Sequence, residues 1–146
     1  MPSNFLSLTA GAITEWKKSA SGIAGKTTSG LFKIEFYSES TVRIVNTRND
    51  SFNDFSYSVI AAPQPISFDV HETDNSIELH TPSLKVLINK TAFSVSFKTI
   101  ADELINEDDP LGTRWNSGQV ATYKKLQEGE RFIGLGEKNG PLDRKG

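Results

Sequence analysis

The sequence predicts an all-β protein built as an antiparallel β-sandwich, and three observations indicate this fold class. Apolar and polar residues alternate along many short segments, which is the pattern of a strand with one face against a core. Turn-forming residues separate these runs at intervals of roughly 8–15 residues. No window of a dozen residues sustains the spacing of an amphipathic helix. Because about ten strands in one flat sheet would expose apolar faces and edges, we expect two packed sheets.

The first half of the chain predicts five strands. Two lie over residues 12–17 and 23–28, each bounded by turn-forming residues. A hairpin follows, because residues 32–36 and 42–44 both alternate and the polar Ser38-Glu39-Ser40 separates them. A further strand is predicted over residues 55–61.

The second half predicts a strand over residues 76–80 and then another hairpin. Its two strands carry apolar side chains at alternate positions on either side of Asn89-Lys90-Thr91, namely Leu84, Val86 and Ile88, then Phe93, Val95 and Phe97. Residues 99–106 could form a turn or two of helix, and Glu107-Asp108-Asp109-Pro110 is interpreted as a solvated loop. A last strand is predicted over residues 119–126.

Length and composition favour one globular domain spanning residues 1–146. The 16 basic and 18 acidic side chains give a net charge of −2 without a run of Lys and Arg, so nucleic acid is not an expected partner. The absence of Cys excludes disulfides and thiolate metal sites. No segment has the ~20 apolar residues of a membrane helix, and the first residues do not form a signal peptide. We expect a soluble chain, while the compartment stays open between cytoplasm and export.

Acidic and histidine residues do not form a convincing reactive site. The acids between Asp102 and Asp109 are more typical of a solvated loop than of a catalytic pair, and they lack the alternating pattern of a calcium loop. His71 and His80 have no metal-ligand spacing and no adjacent nucleophile, so we interpret them as ordinary sheet or surface residues. We predict no catalytic residue, no metal and no cofactor.

Aromatic residues leave two interpretations open. A flat platform of rings could stack against the faces of sugars, and the alternative is that the same rings fill the core or cover strand edges. The residues concerned are Trp16, Tyr37, Tyr57, Trp115 and Tyr123.

The most distinctive stretch is the last one, Glu130-Arg-Phe-Ile-Gly-Leu-Gly-Glu-Lys-Asn-Gly-Pro-Leu-Asp-Arg-Lys-Gly146. It resembles the E-R-F-Y-G-L-G-E-K-T-G-x-L-D-R-R-G segment of family 31 glycoside hydrolases. The order of the preceding strands, with residues 41–44 and 80–86 as their clearest parts, is similar to that family as well. The chain departs from the pattern at Ile133, Asn139 and Lys145.

The resemblance implies the N-terminal sandwich of an α-glucosidase-type enzyme, of the galactose-mutarotase-like (super-sandwich) type. In that family a (β/α)₈ barrel follows the sandwich and carries two aspartates that cleave α-glycosidic bonds with retention. The implied partners are therefore the catalytic barrel of the same full-length chain and, through the parent enzyme, an α-linked oligosaccharide. This chain alone is expected to be inactive, with catalytic residues elsewhere in a longer protein.

Glu137, Asp143 and Arg144 lie in this family-like segment and are candidates for a substrate-proximal loop. We favour a structural role for them, in which pairing among the charges of the segment fixes a loop beside the barrel, and direct sugar contact is the alternative. An alternative function is a stand-alone carbohydrate-binding β-sandwich module, which would bind sugars without cleaving them. A sandwich without its barrel would also expose an apolar patch or open edge, so some self-association is expected.

Overall fold

The computed structural model describes residues 8–116, 118–133 and 143, and these residues form strands without helices. The strands are β1 (Leu8–Thr9), β2 (Ile13–Ser19), β3 (Gly22–Thr27), β4 (Gly30–Ser38), β5 (Thr41–Thr47), β6 (Asp69–Glu72), β7 (Ser76–His80), β8 (Lys85–Asn89), β9 (Ser94–Lys98), β10 (Leu104–Asn116) and β11 (Gln119–Lys124). The predicted all-β antiparallel architecture is confirmed. In this part of the chain no helix is long and apolar enough to cross a membrane.

The strands form two antiparallel sheets. The first is a meander of four strands in sequence order, β2-β3-β4-β5. The second has the order β1-β10-β9-β8-β7-β6, with β11 also paired to β10. Strand β10 is long enough to pair with three strands, since it pairs with β9 through Leu104–Glu107 and with β1 and β11 at positions from Asp108 onward.

The core lies between the two sheets and is filled by alternate residues of their central strands. Strand β4 contributes Phe32, Ile34 and Phe36, all completely buried. They face the buried side chains of the second sheet, among them Ile77, Leu79, Val86 and Ile88. Ring pairs close the core at both ends, with centroids 5.0 Å apart for Phe32 and Phe93 and 5.2 Å for Phe36 and Phe68. Each such side chain contributes about 1.5–3 kcal/mol by burial.

Gly25 in β3 allows the first sheet to pack closely. A Cβ atom at this position would lie 2.1 Å from the carbonyl oxygen of Glu15 and 2.9 Å from the Phe32 ring. Any other residue would therefore push β2 and the core aromatic apart.

Three local predictions are wrong. Residues 55–61 are not a strand but part of the irregular connection between β5 and β6. Residues 107–110 are not a loop, and the suggested helical turn ends where β10 begins at Leu104. The acidic run is tolerated within β10 because the Asp108 carboxylate accepts a hydrogen bond from the Val95 amide at 2.7 Å and contacts Lys124 Nζ at 2.5 Å.

Candidate functional site

The connection of residues 48–68 contains Phe52 and Asp54, which lie against the outer face of the four-stranded sheet and cover a cluster of charged side chains. Lys33 projects outward from β4, opposite to Phe32 and Ile34, yet only 8% of its side chain is exposed. Its Nζ contacts Asp54 of the connection at 2.6 Å and Glu35 at 2.9 Å. Arg43 of β5 lies 3.8 Å from the same Asp54 carboxylate. The cluster thus joins the irregular connection to two strands.

Lys33 is held in its charged form. Burial alone lowers the pKa of its ammonium group, but hydrogen bonds and charge attraction from Asp54 and Glu35 outweigh that effect and raise the pKa above its ordinary value. The buried Oε2 of Glu35 depends on this cation, because Lys33 is its ion-pair partner. A lysine so strongly protonated anchors the connection and is unsuited to act as a general base at neutral pH.

Two shallow grooves flank this cluster. One, of about 410 Å³, is lined by Tyr37, Arg43 and Val59 together with neighbouring residues of β5. The other, of about 470 Å³, runs along the outer face of β2 and β3 beside Phe52. Its carboxylate, Glu15, is paired with Lys26 at 2.6 Å. The described lining of these two grooves does not converge on a reactive pair.

Of the three substrate-proximal residues expected near the C-terminus, the structure describes Asp143. Its Oδ1 accepts a hydrogen bond from the Phe132 amide at 3.1 Å, and the residue forms a β-bridge with Ile133. Its Oδ2 lies 4.0 Å from Arg131 Nε. Glu137 and Arg144 lie outside the described residues. The carboxylate of Asp143 therefore fastens the two ends of the motif, and sugar contact by the three residues stays a prediction.

Four of the five acidic residues between Asp102 and Asp109 have carboxylates engaged in structural contacts, Asp108 through the contacts given above. Asp102 accepts a hydrogen bond from Lys85 Nζ at 2.8 Å, which lowers the pKa of its carboxyl group. Glu107 pairs with Lys125 at 3.1 Å, and Asp109 accepts from the Leu111 amide at 2.9 Å. These contacts hold turns and strands in place.

The two histidines lie together, which sequence reasoning missed. They sit on adjacent strands with ring centroids 4.9 Å apart, and His80 Nε2 is 3.1 Å from Glu78 Oε2. The contact between the histidines depends on the register of β6 against β7, which pairs His71 with Glu78 and Asp69 with His80. Knowledge of this register would have indicated the contact. Within the described ranges, no group of three or more His, Asp or Glu side chains is arranged to hold a metal ion.

The five aromatic residues considered as a platform lie on separate elements. Trp16 and Trp115 pack against the core, and the Trp16 indole donates to Glu72 at 3.1 Å. Tyr37 accepts a hydrogen bond from Arg43 at 3.4 Å. The ring that accompanies Tyr57 is instead Phe55, with centroids 4.8 Å apart at an interplanar angle of 81°. Sequence reasoning missed this pair because Phe55 was not among the aromatic residues considered.

Comparisons with known proteins agree with this architecture. Residues 31–146 match the model of the glycosyl hydrolase 31 N-terminal galactose mutarotase-like domain. Alpha-glucosidase 2 of Bacillus thermoamyloliquefaciens is 31% identical over 119 residues, which cover 80% of this chain and 15% of that protein. The chain thus spans about one seventh of the length of the curated relative.

Solved structures show the same fold. A GH31 dextranase of Flavobacterium johnsoniae, in a complex with isomaltotriose, matches 94% of this chain and 18% of its own with a TM-score of 0.83 and 24% identity. An uncharacterized protein of Listeria monocytogenes matches 94% of this chain and 14% of its own with a TM-score of 0.76 and 14% identity.

Proposed function

Since the chain belongs to the glycosyl hydrolase 31 N-terminal galactose mutarotase-like domain family, we propose that it is the accessory domain of a retaining α-glycosidase. In this proposal residues 1–146 form one domain that braces a catalytic barrel of the same full-length chain. The domain shapes the sugar site, and the barrel supplies the two aspartates. The substrate of the whole enzyme is an α-linked gluco-oligosaccharide.

The single observation that carries the proposal is the family match over residues 31–146, which runs from β4 through the C-terminal motif. Chemistry on the described surface agrees with it. Retaining hydrolysis requires two carboxyl groups ~5–5.5 Å apart, one of them an acid with a raised pKa. The shifted carboxyl groups, Glu72 and Asp102, have lowered pKa values instead, because each accepts a hydrogen bond from a lysine.

Asp143 supports a positioning role for the C-terminal motif. Its bond to the Phe132 amide closes the segment that contains Glu137. We propose that Glu137, Asp143 and Arg144 shape a loop near the sugar. A loop held at its base by a hydrogen bond from a backbone amide to a side-chain carboxylate can present such groups reproducibly.

The proposal is tested by hydrolysis of nitrophenyl α-glucoside. The 146-residue chain should show no turnover above buffer, whereas a polypeptide extended along the natural reading frame should hydrolyse the substrate with retention. Activity of the 146-residue chain that survives repurification would show that the barrel is not needed. A stand-alone carbohydrate-binding module, the alternative function, predicts sugar binding and no hydrolysis in any longer form.

We also propose that the isolated chain self-associates. Strands β10 and β11 and the segment after them expose several large apolar side chains, namely Leu111, Val120, Tyr123, Leu126 and Ile133. Such surfaces favour association between copies unless another domain covers them. Light scattering at increasing concentration should show a rising mean mass, and a strict monomer would contradict this proposal.

A further inference from the structure

Two aromatic rings project from the connection between the sheets. Tyr57 is 92% exposed and Phe55 is 70% exposed, although both are large and apolar. Their rings meet edge to face with centroids 4.8 Å apart. Exposing two neighbouring rings gives up the burial that most aromatic residues obtain, and such groups commonly mark a binding surface.

The backbone that carries these rings is held by specific contacts on both sides. Asp54 precedes Phe55 and is fastened to buried Lys33 at 2.6 Å. The Asn53 side chain accepts a hydrogen bond from the Phe55 amide at 3.1 Å. Ser56 Oγ accepts from the amides of Ser58 and Val59, both at 3.2 Å. The rings are therefore positioned before a ligand arrives, which lowers the ordering cost of binding.

The surrounding residues favour a polar ligand with flat apolar faces. Seven of the ten residues from Asn49 to Ser58 are Asn, Asp or Ser, and the other three are aromatic. Combining rigid rings with short hydrogen-bonding side chains suits ligands that are both apolar and polar. A pyranose has this character, because its C–H faces stack on rings while its hydroxyl groups point outward. An apolar protein partner would leave the short polar side chains without a role.

We propose that Phe55 and Tyr57 form a binding site for α-linked glucose oligosaccharides on this domain. The choice of glucose and of the α linkage rests on the function proposed above, whereas the ring geometry is independent of it. Tyr57, the more exposed ring, provides the main stacking face and Phe55 supports its orientation. Hydroxyl groups of the sugar bond to the polar side chains of the same segment.

The test is calorimetric titration of the 146-residue chain with isomaltotriose and maltotriose. We expect a dissociation constant on the order of 1–10 mM for at least one of them. Tyr57→Ala should weaken binding at least tenfold, and Phe55→Ala severalfold. Ile60→Ala, which removes a 98% exposed apolar side chain from the same connection, is the matched control and should leave the affinity unchanged. Circular dichroism establishes that each variant is folded.

Three outcomes would overturn the proposal. They are no binding by the unaltered chain at tens of millimolar sugar, equal affinity in Tyr57→Ala, and concentration-dependent association abolished by Tyr57→Ala with no sugar binding. The last would assign the ring pair to a second copy of the chain. Hydrolysis by the extended polypeptide is measured separately, so loss of the sugar site and loss of the glycosidase function are distinguished.

Discussion

The two faces of β4 are both covered, but they are covered in different ways. The inner face presents Phe32, Ile34 and Phe36 to the second sheet and is entirely apolar. The outer face presents Lys33 and Glu35 to the irregular connection, where Asp54 completes an ion-pair cluster. Apolar packing between sheets tolerates many partners, whereas a buried charge demands a particular one. The inner face therefore stabilises the fold, and the outer face fixes the position of one segment.

The largest loss of stability is expected from a substitution on the inner face of β4. Phe32→Ala removes a completely buried ring that contacts Phe93, so the free energy of unfolding should fall by about 3–5 kcal/mol. Urea denaturation followed by far-UV circular dichroism measures this change. Phe55→Ala is the matched control, because its ring is mostly exposed, and it should change stability by no more than ~0.5 kcal/mol. Equal losses in the two variants would contradict the difference between the core and the connection.

A substitution on the outer face of β4 should lower the free energy of unfolding less, and its effect should be concentrated in the connection. Lys33→Met leaves Glu35 buried without its cation, so we expect a loss of about 1–3 kcal/mol and faster proteolysis within residues 48–68. Lys26→Met is the matched control on the same sheet face, because the Lys26–Glu15 pair is open to solvent. Limited proteolysis that is equally rapid in both variants would show that Lys33 does not hold the connection.

The contrast also explains which parts of the fold could be predicted. Alternation shows the inner face of β4 directly, because Phe32, Ile34 and Phe36 match the strand period. The same alternation places Lys33 on a solvated face, and nothing local indicates that Asp54 will cover it. The partner belongs to an irregular segment, whose path depends on tertiary contacts rather than on periodicity.

The candidate site residues likewise divide into those that the local sequence indicates and those that depend on tertiary contacts. The C-terminal motif is recognisable because its residues are contiguous, whereas the His71–His80 contact depends on the register of β6 and β7. Strand β10 could not be predicted from the sequence for a related reason. Its acidic residues suit a strand only when Lys124 and the Val95 amide lie across from Asp108. Such long-range neutralisation leaves no periodic signal in one sequence.

At the rim between the two sheets, a partly exposed carboxyl group makes the stability of the fold depend on pH. Glu72 of β6 accepts hydrogen bonds from Lys90 at 2.6 Å and Trp16 at 3.1 Å, which lower the pKa of its carboxyl group below the ordinary 4.5. The charged form therefore stabilises the fold above that ordinary value. Its contribution is lost as pH falls through the lower, folded-state pKa. Because the side chain is 41% exposed, solvent screening limits the effect to about 0.5 kcal/mol.

Glu72→Gln measures this contribution. The variant should be less stable than the unaltered chain near pH 7, and the difference should vanish at acid pH, where the carboxyl group is protonated in both states. A double-mutant cycle with Lys90→Met separates the pair energy from other effects. A stability difference that persists unchanged at pH 2 would assign the effect to packing of the side chain.

The smallest effect on global stability is expected at the C-terminal motif, far from both faces of β4 in the chain. Asp143→Ala removes the acceptor for the Phe132 amide, but neither residue belongs to the core between the sheets. The free energy of unfolding should change by no more than ~0.5 kcal/mol, while exchange of the Phe132 amide with solvent becomes faster. Asp143→Asn, which keeps an oxygen acceptor, should retain most of the protection. A large global loss in Asp143→Ala would mean that the contact between Asp143 and Phe132 is part of the cooperative core, and the carboxylate would then serve global folding rather than local positioning of the motif.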